Sequence, residues 1–351
     1  MEFSIKSGDL AGRASPCLIL GVFEKRQLPP PTQLIDTASQ GHLSRILGKG
    51  DLDGEAGRTL LLHEVPALAA ERVLLVSLGP QEKYDRKTYG KALAAALAHL
   101  NQTGAPEALC ALPASAPPEL DRYLAVRDAI TTALDKAYRY ERTKSEKKPP
   151  SPLQRLQLWI PDPAETSRAK QALRHGQALA HGVALAKELG NLPGNICTPT
   201  YLADQAEALA KDFPALKVTI LEEADMAKLG MGALLSVSRG SRQPAKLILM
   251  HHRGGKKSAK PLVLVGKGLT FDAGGISLKP GPDMDQMKYD MGGGASVLGT
   301  MRAALELQLP INLIGIIPAS ENLPDGDANK PGDIVTSLSG HTIEILNTDA
   351  E

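Results

Sequence analysis

Strand-like and helix-like patterns of apolar residues alternate along the first 160 positions of the chain. Apolar runs of strand length occupy residues 16–23 and 59–65, and another, RVLLVSLG, begins at Arg72. Residues 91–100 and 121–142 are instead rich in helix formers and carry apolar side chains at roughly helical spacing. This alternation predicts an N-terminal α/β domain.

A polar, proline-rich segment, TKSEKKPPSP at residues 143–152, follows these elements. Its composition predicts either a solvated loop or a domain hinge, and we favour the hinge. The run LQLWI directly after it predicts one more strand, which could return to the first sheet. Residues 164–189 then form a long alanine-rich helix, ended by Gly190, that we interpret as a connector.

A second α/β block begins after the connector. A helix is predicted at 201–211, and strands are predicted at 217–221 and from Lys246 onward. The near-continuous apolar runs at 261–266 and 311–317 predict strands buried on both faces, with a helix between them. We therefore expect an N-terminal α/β domain at 1–160, a connecting helix at 161–190 and a second domain at 191–351.

Charge and cysteine usage limit the class of protein. The chain has 351 residues, and its 40 Lys and Arg against 39 Asp and Glu leave a net charge of +1, which argues against a dedicated nucleic-acid or membrane-surface protein. The cysteines, Cys17, Cys110 and Cys197, lie far apart without CxxC spacing, as expected in a reducing cytoplasm. Neither a signal peptide nor an apolar run of about 18 residues occurs, so we expect a cytoplasmic protein without a membrane span.

Candidate chemistry is concentrated in four charged segments, at residues 265–280, 287–294, 321–333 and 347–351, the first three of which also contain glycines. Charged residues after buried strands occupy the edge where α/β sheets place their sites. The alternative for any single residue is a strand end that reaches water. Several carboxylates converging without matching arginines would repel one another unless they bound cations.

Common ligand motifs do not fit these segments. Phe271 stands where GxGxxG needs its third glycine, and no phosphate-binding GxxxxGK[ST] occurs. An EF-hand-like start at Asp325 has Lys330 and Thr336 in place of the turn glycine and the bidentate glutamate. The hydrolase motifs GxSxG and HExxH are absent as well.

Carboxylates thus remain as the expected metal ligands, and oxygen-rich sites suit Mn, Mg or Zn. The adjacent His251 and His252 would point to opposite faces of a strand. A carboxylate such as Asp272 or Glu351 could bridge two metals. The loops around Asp272 also contain lysines. A lysine near a metal ion either gives up its proton and becomes a ligand, or stays charged and stabilises an oxyanion. The alternative for each lysine is an exposed charge at the end of a strand.

The motifs VGKGLTFDAGGISLKP, MKYDMGGGAS, ENLPDGDANKPGD and NTDAE, in this order, resemble the consecutive signatures of the leucyl (cytosol) aminopeptidases. The similarity extends from about Glu188 to Glu351, whereas the N-terminal part agrees in pattern only. The resemblance implies a fold of two α/β domains. The N-terminal one is macro-like, and the C-terminal one is an α/β/α metallopeptidase domain with a mixed central sheet.

The resemblance also implies a dinuclear-metal aminopeptidase that releases N-terminal residues, preferably leucine or other apolar ones, from peptides. It implies that Lys279 is catalytic, stabilises the tetrahedral oxyanion and contacts substrate, while Met287 lines the apolar pocket. It also implies two metal ions, Mn or Zn. Asp272 and Glu351 would bridge both ions, Asp349 would bind the first ion, and Lys267 and Asp290 would bind the second.

Further expectations concern assembly and completeness. The resemblance implies homo-hexamers and a bicarbonate, which is held by an arginine that follows the family's equivalent of Glu351. We therefore expect weak metal binding and little activity from residues 1–351 alone. The alternatives are an inactive truncated homologue and a DNA-binding architectural protein of the same family, and the near-neutral charge disfavours DNA.

Overall fold

The structure is a computed structural model that describes residues 1–52 and 54–350. The chain divides into two units, Met1–Arg139 with Glu146–Ala180, and Tyr140–Ser145 with His181 onward. Each unit has its own mixed β-sheet flanked by helices and its own hydrophobic core, which confirms the predicted fold class. The domain bounds expected from the sequence stay a prediction.

The first unit is built on one sheet with helices on its faces. Its strands are β1 (Glu2–Lys6), β2 (Leu18–Phe23), β3 (Thr59–His63), β4 (Arg72–Gly79), β5 (Glu107–Cys110) and β6 (Arg155–Trp159). Its helices are α1 (Pro30–Ala38), α2 (His42–Leu47), α3 (Arg86–Leu100), α4 (Arg122–Ala137) and the first part of α5 (Thr166–Asn191). Among the described residues the strand order is β1-β6-β5-β2-β4-β3, with only β3 antiparallel to its neighbour.

Two expectations for this unit were wrong. Because β6 pairs with β1 and β5, residues 143–152 lead back to the first sheet and are not the hinge between the two domains, although residues 140–145 group with the second unit. Helix α4 ends at Ala137 instead of Arg142, since Tyr138 is already extended and Tyr140–Ser145 belongs to the second unit. There Arg142 lies over the ring of Tyr201, 5.3 Å from its centroid.

The second unit contains a mixed sheet and a separate hairpin. Its helices are the rest of α5, α6 (Pro199–Asp212), α7 (Glu223–Lys228), α8 (Gly232–Ser238) and α9 (Gly292–Glu306). Its strands are β7 (Leu216–Leu221), β8 (Lys246–Arg253), β9 (Leu262–Val265), β10 (Gly268–Asp272), β11 (Asn312–Asn322), β12 (Asp333–Thr336) and β13 (Thr342–Ile345). In the described chain the sheet order is β10-β11-β8-β7, β9 also pairs with β11, and β12 pairs with β13.

Burial of β9 differs from the prediction. Leu262, Val263 and Val265 are 61%, 51% and 68% exposed, although their apolar run predicted a strand buried on both faces. Within the described residues β9 pairs with β11 on one side and lies at the edge of the sheet. Strand β11 alternates over the same length, with Leu313 and Ile317 buried.

Helices α5 and α9 approach closely in the second unit. A Cβ atom on Gly182 would lie 2.4 Å from the carbonyl oxygen of Gly299, and a Cβ on Gly299 would lie equally close to that of Gly182. Only glycine therefore permits this crossing. None of the helices within residues 1–52 and 54–350 combines the length and apolarity needed to cross a lipid bilayer.

Candidate active site

A break in one strand places Lys267. Strands β9 and β10 pair with successive parts of β11, and Gly266 and Lys267 lie between them. A Cβ on Gly266 would come within 2.3 Å of the Gly293 carbonyl oxygen, and the Lys267 carbonyl accepts a hydrogen bond from Gly294 N at 2.7 Å. The N-terminus of α9 thus packs against Gly266 and Lys267, and these two residues separate β9 from β10.

A bulge places Asp272 at the end of the same strand. Leu269 pairs with Ser320 and Phe271 with Glu321, so Thr270 is an extra residue on β10. After the bulge, Asp272 pairs with Asn322, the last residue of β11, so the carboxylate lies at the end of the sheet.

Asp272, Lys279 and Asp349 form one charged cluster. Lys279 Nζ lies 3.2 Å from Asp272 Oδ2 and contacts Asp349 Oδ1. The side chain of Asp272 is 3% exposed, and its Oδ1 accepts hydrogen bonds from Gly274 N at 2.9 Å and from Asn322 Nδ2 at 3.1 Å. Contact with Asp349 raises the pKa of the Lys279 ammonium above its ordinary value, against partial desolvation and with further help from Asp272.

Lys267 and Asp290 form a second pair, with Lys267 Nζ 3.0 Å from Asp290 Oδ2. Asp290 ends a short 3₁₀ turn, Met284–Tyr289, that packs against β10. Met287 belongs to this turn, is half-buried, and its carbonyl accepts a hydrogen bond from Asp290 N at 3.2 Å. The turn therefore carries both the predicted pocket residue and a predicted ligand.

The structure thus brings together most of the residues that the sequence singled out. Asp272, Lys279 and Asp349 meet in one cluster, and Lys267 meets Asp290. Glu351 lies outside the described residues. Asn322 and Thr348 were not predicted from the sequence. Both are uncharged, and no ligand motif places an Asn or a Thr at these positions.

The donor set fits divalent cations in chemistry. Asp349 Oδ1 is buried and, apart from its contact with Lys279, accepts no hydrogen bond of normal geometry from the described residues. Asp272 and Asp290 add carboxylate oxygens, which Mn and Zn accept. Within residues 1–52 and 54–350, no three His, Cys, Asp or Glu side chains form a ligand group by themselves.

A cavity of about 380 Å³ opens beside the carboxylates. Asn322 and Thr348 line it next to the cluster, and Val335, Ile343 and Ala233 contribute apolar surface from the β12–β13 hairpin and α8. The cavity is linked to the cluster through Gly275, Asn322 and Thr348, while Asp272, Lys279 and Met287 do not line it.

Comparison with known proteins assigns a family. The family model described as the cytosol aminopeptidase family, catalytic domain, matches residues 184–351, and the model of that family's N-terminal domain matches residues 19–147. The chain belongs to the cytosol aminopeptidase family. Membership in the cytosol aminopeptidase family confirms the predicted resemblance and supports an aminopeptidase activity, the hydrolysis of peptide bonds.

Relatives agree in sequence and in structure. A protein of Thioalkalivibrio sulfidiphilus named "Probable cytosol aminopeptidase" is 52% identical over 352 residues, which cover 100% of this chain and 71% of that protein. A mutant of tomato leucine aminopeptidase superposes with a TM-score of 0.81 at 28% identity, covering 100% of this chain and 68% of the other. The bottromycin maturation enzyme BotP in complex with Mn superposes with a TM-score of 0.78 at 29% identity, covering 96% and 66%. The chain therefore spans about two thirds to 71% of the length of these relatives.

Proposed function

We propose that this chain is a metal-dependent aminopeptidase that releases N-terminal residues from peptides, preferably leucine or other apolar residues. The observation that carries the proposal is the convergence of Asp272, Asp349 and Lys279 where β10 ends. Two carboxylates and an ammonium group at one point, beside a recess, match the needs of a reaction in which a carbonyl oxygen gains negative charge.

Two divalent cations, Mn or Zn, are part of the proposal. Their ligands would be Lys267, Asp272, Asp290, Asp349 and Glu351. When bound, such ions supply Lewis acidity toward a carbonyl oxygen and a lowered pKa of water. The carboxylate-rich donor set supports this assignment, as does the BotP relative in complex with Mn.

Lys279 would stabilise the oxyanion that develops on the scissile carbonyl. Its carboxylate neighbours raise its pKa, so the side chain keeps its proton at neutral pH and acts as a cation, not as a base. In the metal-free chain the same neighbours hold the ammonium beside the proposed ligands, and a charge already placed at the reacting carbonyl is effective in catalysis.

Lys267, Asp290 and Met287 would act on the amino end of the substrate. Lys267 serves as a ligand only as a neutral amine, whereas as a cation it pairs with Asp290 at 3.0 Å. Met287 lies in the 3₁₀ turn that ends just before Asp290. Its flexible apolar side chain would favour a substrate leucine over polar side chains.

Other parts of the proposal concern assembly and location. We propose homo-hexamers, measurable by light scattering after size-exclusion chromatography, a cytoplasmic location and a bicarbonate, to which we assign none of the described residues. An inactive homologue and a DNA-binding architectural protein remain the alternatives. Salt-sensitive retention on DNA without peptide hydrolysis would favour the second of these.

The test is hydrolysis of leucine p-nitroanilide by the purified chain with added Mn or Zn. We expect slow release of nitroaniline that EDTA abolishes, and no release from the N-acetylated substrate, whose α-amine is blocked. Asp272→Ala should remove activity, and Asp285→Asn, at an exposed carboxylate in the nearby 3₁₀ turn, should keep it. Equal activity of the Asp272→Ala and unchanged chains would contradict the proposal.

A further inference from the structure

Asn322, the last residue of β11, links the two segments that carry the clustered carboxylates. Its side chain is buried, with the residue 5% exposed. Asn322 Nδ2 donates hydrogen bonds to Asp272 Oδ1 at 3.1 Å and to the Thr348 carbonyl oxygen at 2.8 Å. The backbone carbonyl of Asn322 accepts a hydrogen bond from Ala273 N at 2.9 Å, so the backbone that carries this side chain is fixed at the end of the sheet.

Thr348 makes the complementary links from the other segment. It is 7% exposed, and its Oγ1 donates to the Gly274 carbonyl at 2.7 Å and accepts from Ser277 N at 2.8 Å. Thr348 N in turn donates to Ser277 Oγ at 3.1 Å. These bonds fasten the residue directly before Asp349 to the loop that joins Asp272 to Lys279.

The loop backbone fits closely onto these two side chains. Gly274 and Gly275 have φ angles of +86° and +66°, and a Cβ on Gly275 would lie 2.7 Å from Asn322 Oδ1 and 3.0 Å from Thr348 Oγ1. Left-handed φ and this lack of space both require glycine. The loop conformation and the two polar side chains therefore determine each other.

We infer that Asn322 and Thr348 are positioning residues that set the separation of Asp272 and Asp349. The two carboxylates come from segments more than 70 positions apart, and they repel each other when both are ionised. Hydrogen bonds to Asp272 and around Thr348 hold both where one cation can meet them. The inference rests on the proposed function, in which these carboxylates are metal ligands, and it assigns their spacing to two residues that act through hydrogen bonds to the ligand segments.

The first test compares Thr348→Val, which keeps the β-branched shape but loses the hydroxyl, with Thr348→Ser, which keeps the hydroxyl. Free Mn²⁺ is measured by electron paramagnetic resonance during titration of the full 351-residue chain. We expect Thr348→Val to raise the Kd about 10–100-fold, as removal of such supporting hydrogen bonds does in metal sites. Thr348→Ser should stay within about threefold of the unchanged chain by the same reasoning.

Thr300→Val is the matched control, because Thr300 is exposed on α9 and its Oγ1 bonds only locally, to the Ser296 carbonyl at 2.7 Å. It should bind Mn²⁺ like the unchanged chain. At saturating Mn²⁺, Thr348→Val should lower kcat for leucine p-nitroanilide and leave KM nearly unchanged. A purely structural role would instead lower the melting temperature without changing the Kd.

The second test needs no metal. Hydrogen–deuterium exchange of the metal-free chain should show faster exchange at residues 273–279 in Thr348→Val, because Ser277 N loses its acceptor, and unchanged exchange in β10 and β11. A Thr348→Val chain with the Kd of the unchanged chain would overturn the inference. Absence of Mn²⁺ binding by the unchanged chain would instead overturn the proposed function, and the exchange experiment would still report whether Thr348 holds the loop.

Discussion

Replacing Lys279 by methionine isolates the role of one charge. Methionine keeps the length of an unbranched side chain but removes the ammonium that lies 3.2 Å from Asp272 Oδ2 and contacts Asp349 Oδ1. With an effective dielectric constant of about 20, two unit charges at this distance interact by about 5 kcal/mol. The side chain is 22% exposed, so solvent reduces this value.

The expected catalytic effect concerns a different interaction of the same ammonium, the one with the developing oxyanion. Loss of one preorganised group facing an oxyanion lowers kcat by about 10²–10³-fold, which corresponds to about 2.7–4 kcal/mol. We expect this loss for Lys279→Met at saturating Mn²⁺, with a smaller change in KM. Mn²⁺ affinity should not fall, since the substitution removes a cation that competes with the metal for Asp272 and Asp349.

The assay is steady-state hydrolysis of leucine p-nitroanilide, with the Mn²⁺ Kd measured on the same samples. Lys330→Met is the matched control, because Lys330 Nζ also lies 3.2 Å from a carboxylate, that of Asp333, but is 67% exposed and outside the cluster. It should retain the kcat of the unchanged chain. A Lys279→Met chain with an unchanged kcat would refute the argument that this ammonium stabilises the transition state.

Three further predictions concern metal binding, packing and thiol reactivity. Asp349→Asn should weaken Mn²⁺ binding at least tenfold while circular dichroism stays unchanged, and an unchanged Kd would remove Asp349 from the ligand set. Gly299→Ala should lower the free energy of unfolding, measured in urea, by about 1–3 kcal/mol, because the new Cβ would meet the Gly182 carbonyl. Gly90→Ala in α3 is the control and should raise it by about 0.5–1 kcal/mol, because nothing lies within 4 Å of the new Cβ. Burial raises the pKa of three thiols, so the native chain should not react with Ellman's reagent at pH 8, and reaction before unfolding would contradict that burial. These thiols are Cys17, with a pKa of about 11, and Cys110 and Cys197, each with a pKa of about 12.

Several elements were predictable because their signals are local. Strands β2 and β4 and helices α5 and α6 lie where the apolar periodicity predicted them, within a few residues. The return of LQLWI to the first sheet was left open, because composition alone does not reveal which strands pair. The end of α4 was missed since its continuation favours helix locally, and only the place of Tyr140–Ser145 in the second unit ends it.

The candidate site shows the same division. Lys267, Asp272 and Lys279 were identifiable because charged residues beside glycines follow an apolar run, whereas Asp290 and Asp349 were assigned as ligands by the family resemblance. Their grouping into one cluster and one pair was implied by the family resemblance and depends on contacts between distant segments.

By itself, the sequence determined the α/β class, the near-neutral charge and the chemical groups available for catalysis, because composition and periodicity are properties of neighbouring residues. Only the tertiary structure decided that α9 interrupts a strand at Gly266, that Thr270 forms a bulge in β10 just before Asp272, and that Asn322 and Thr348 join the two carboxylate segments. Each of these features depends on a close approach between residues far apart in the chain, for which local sequence carries no signal.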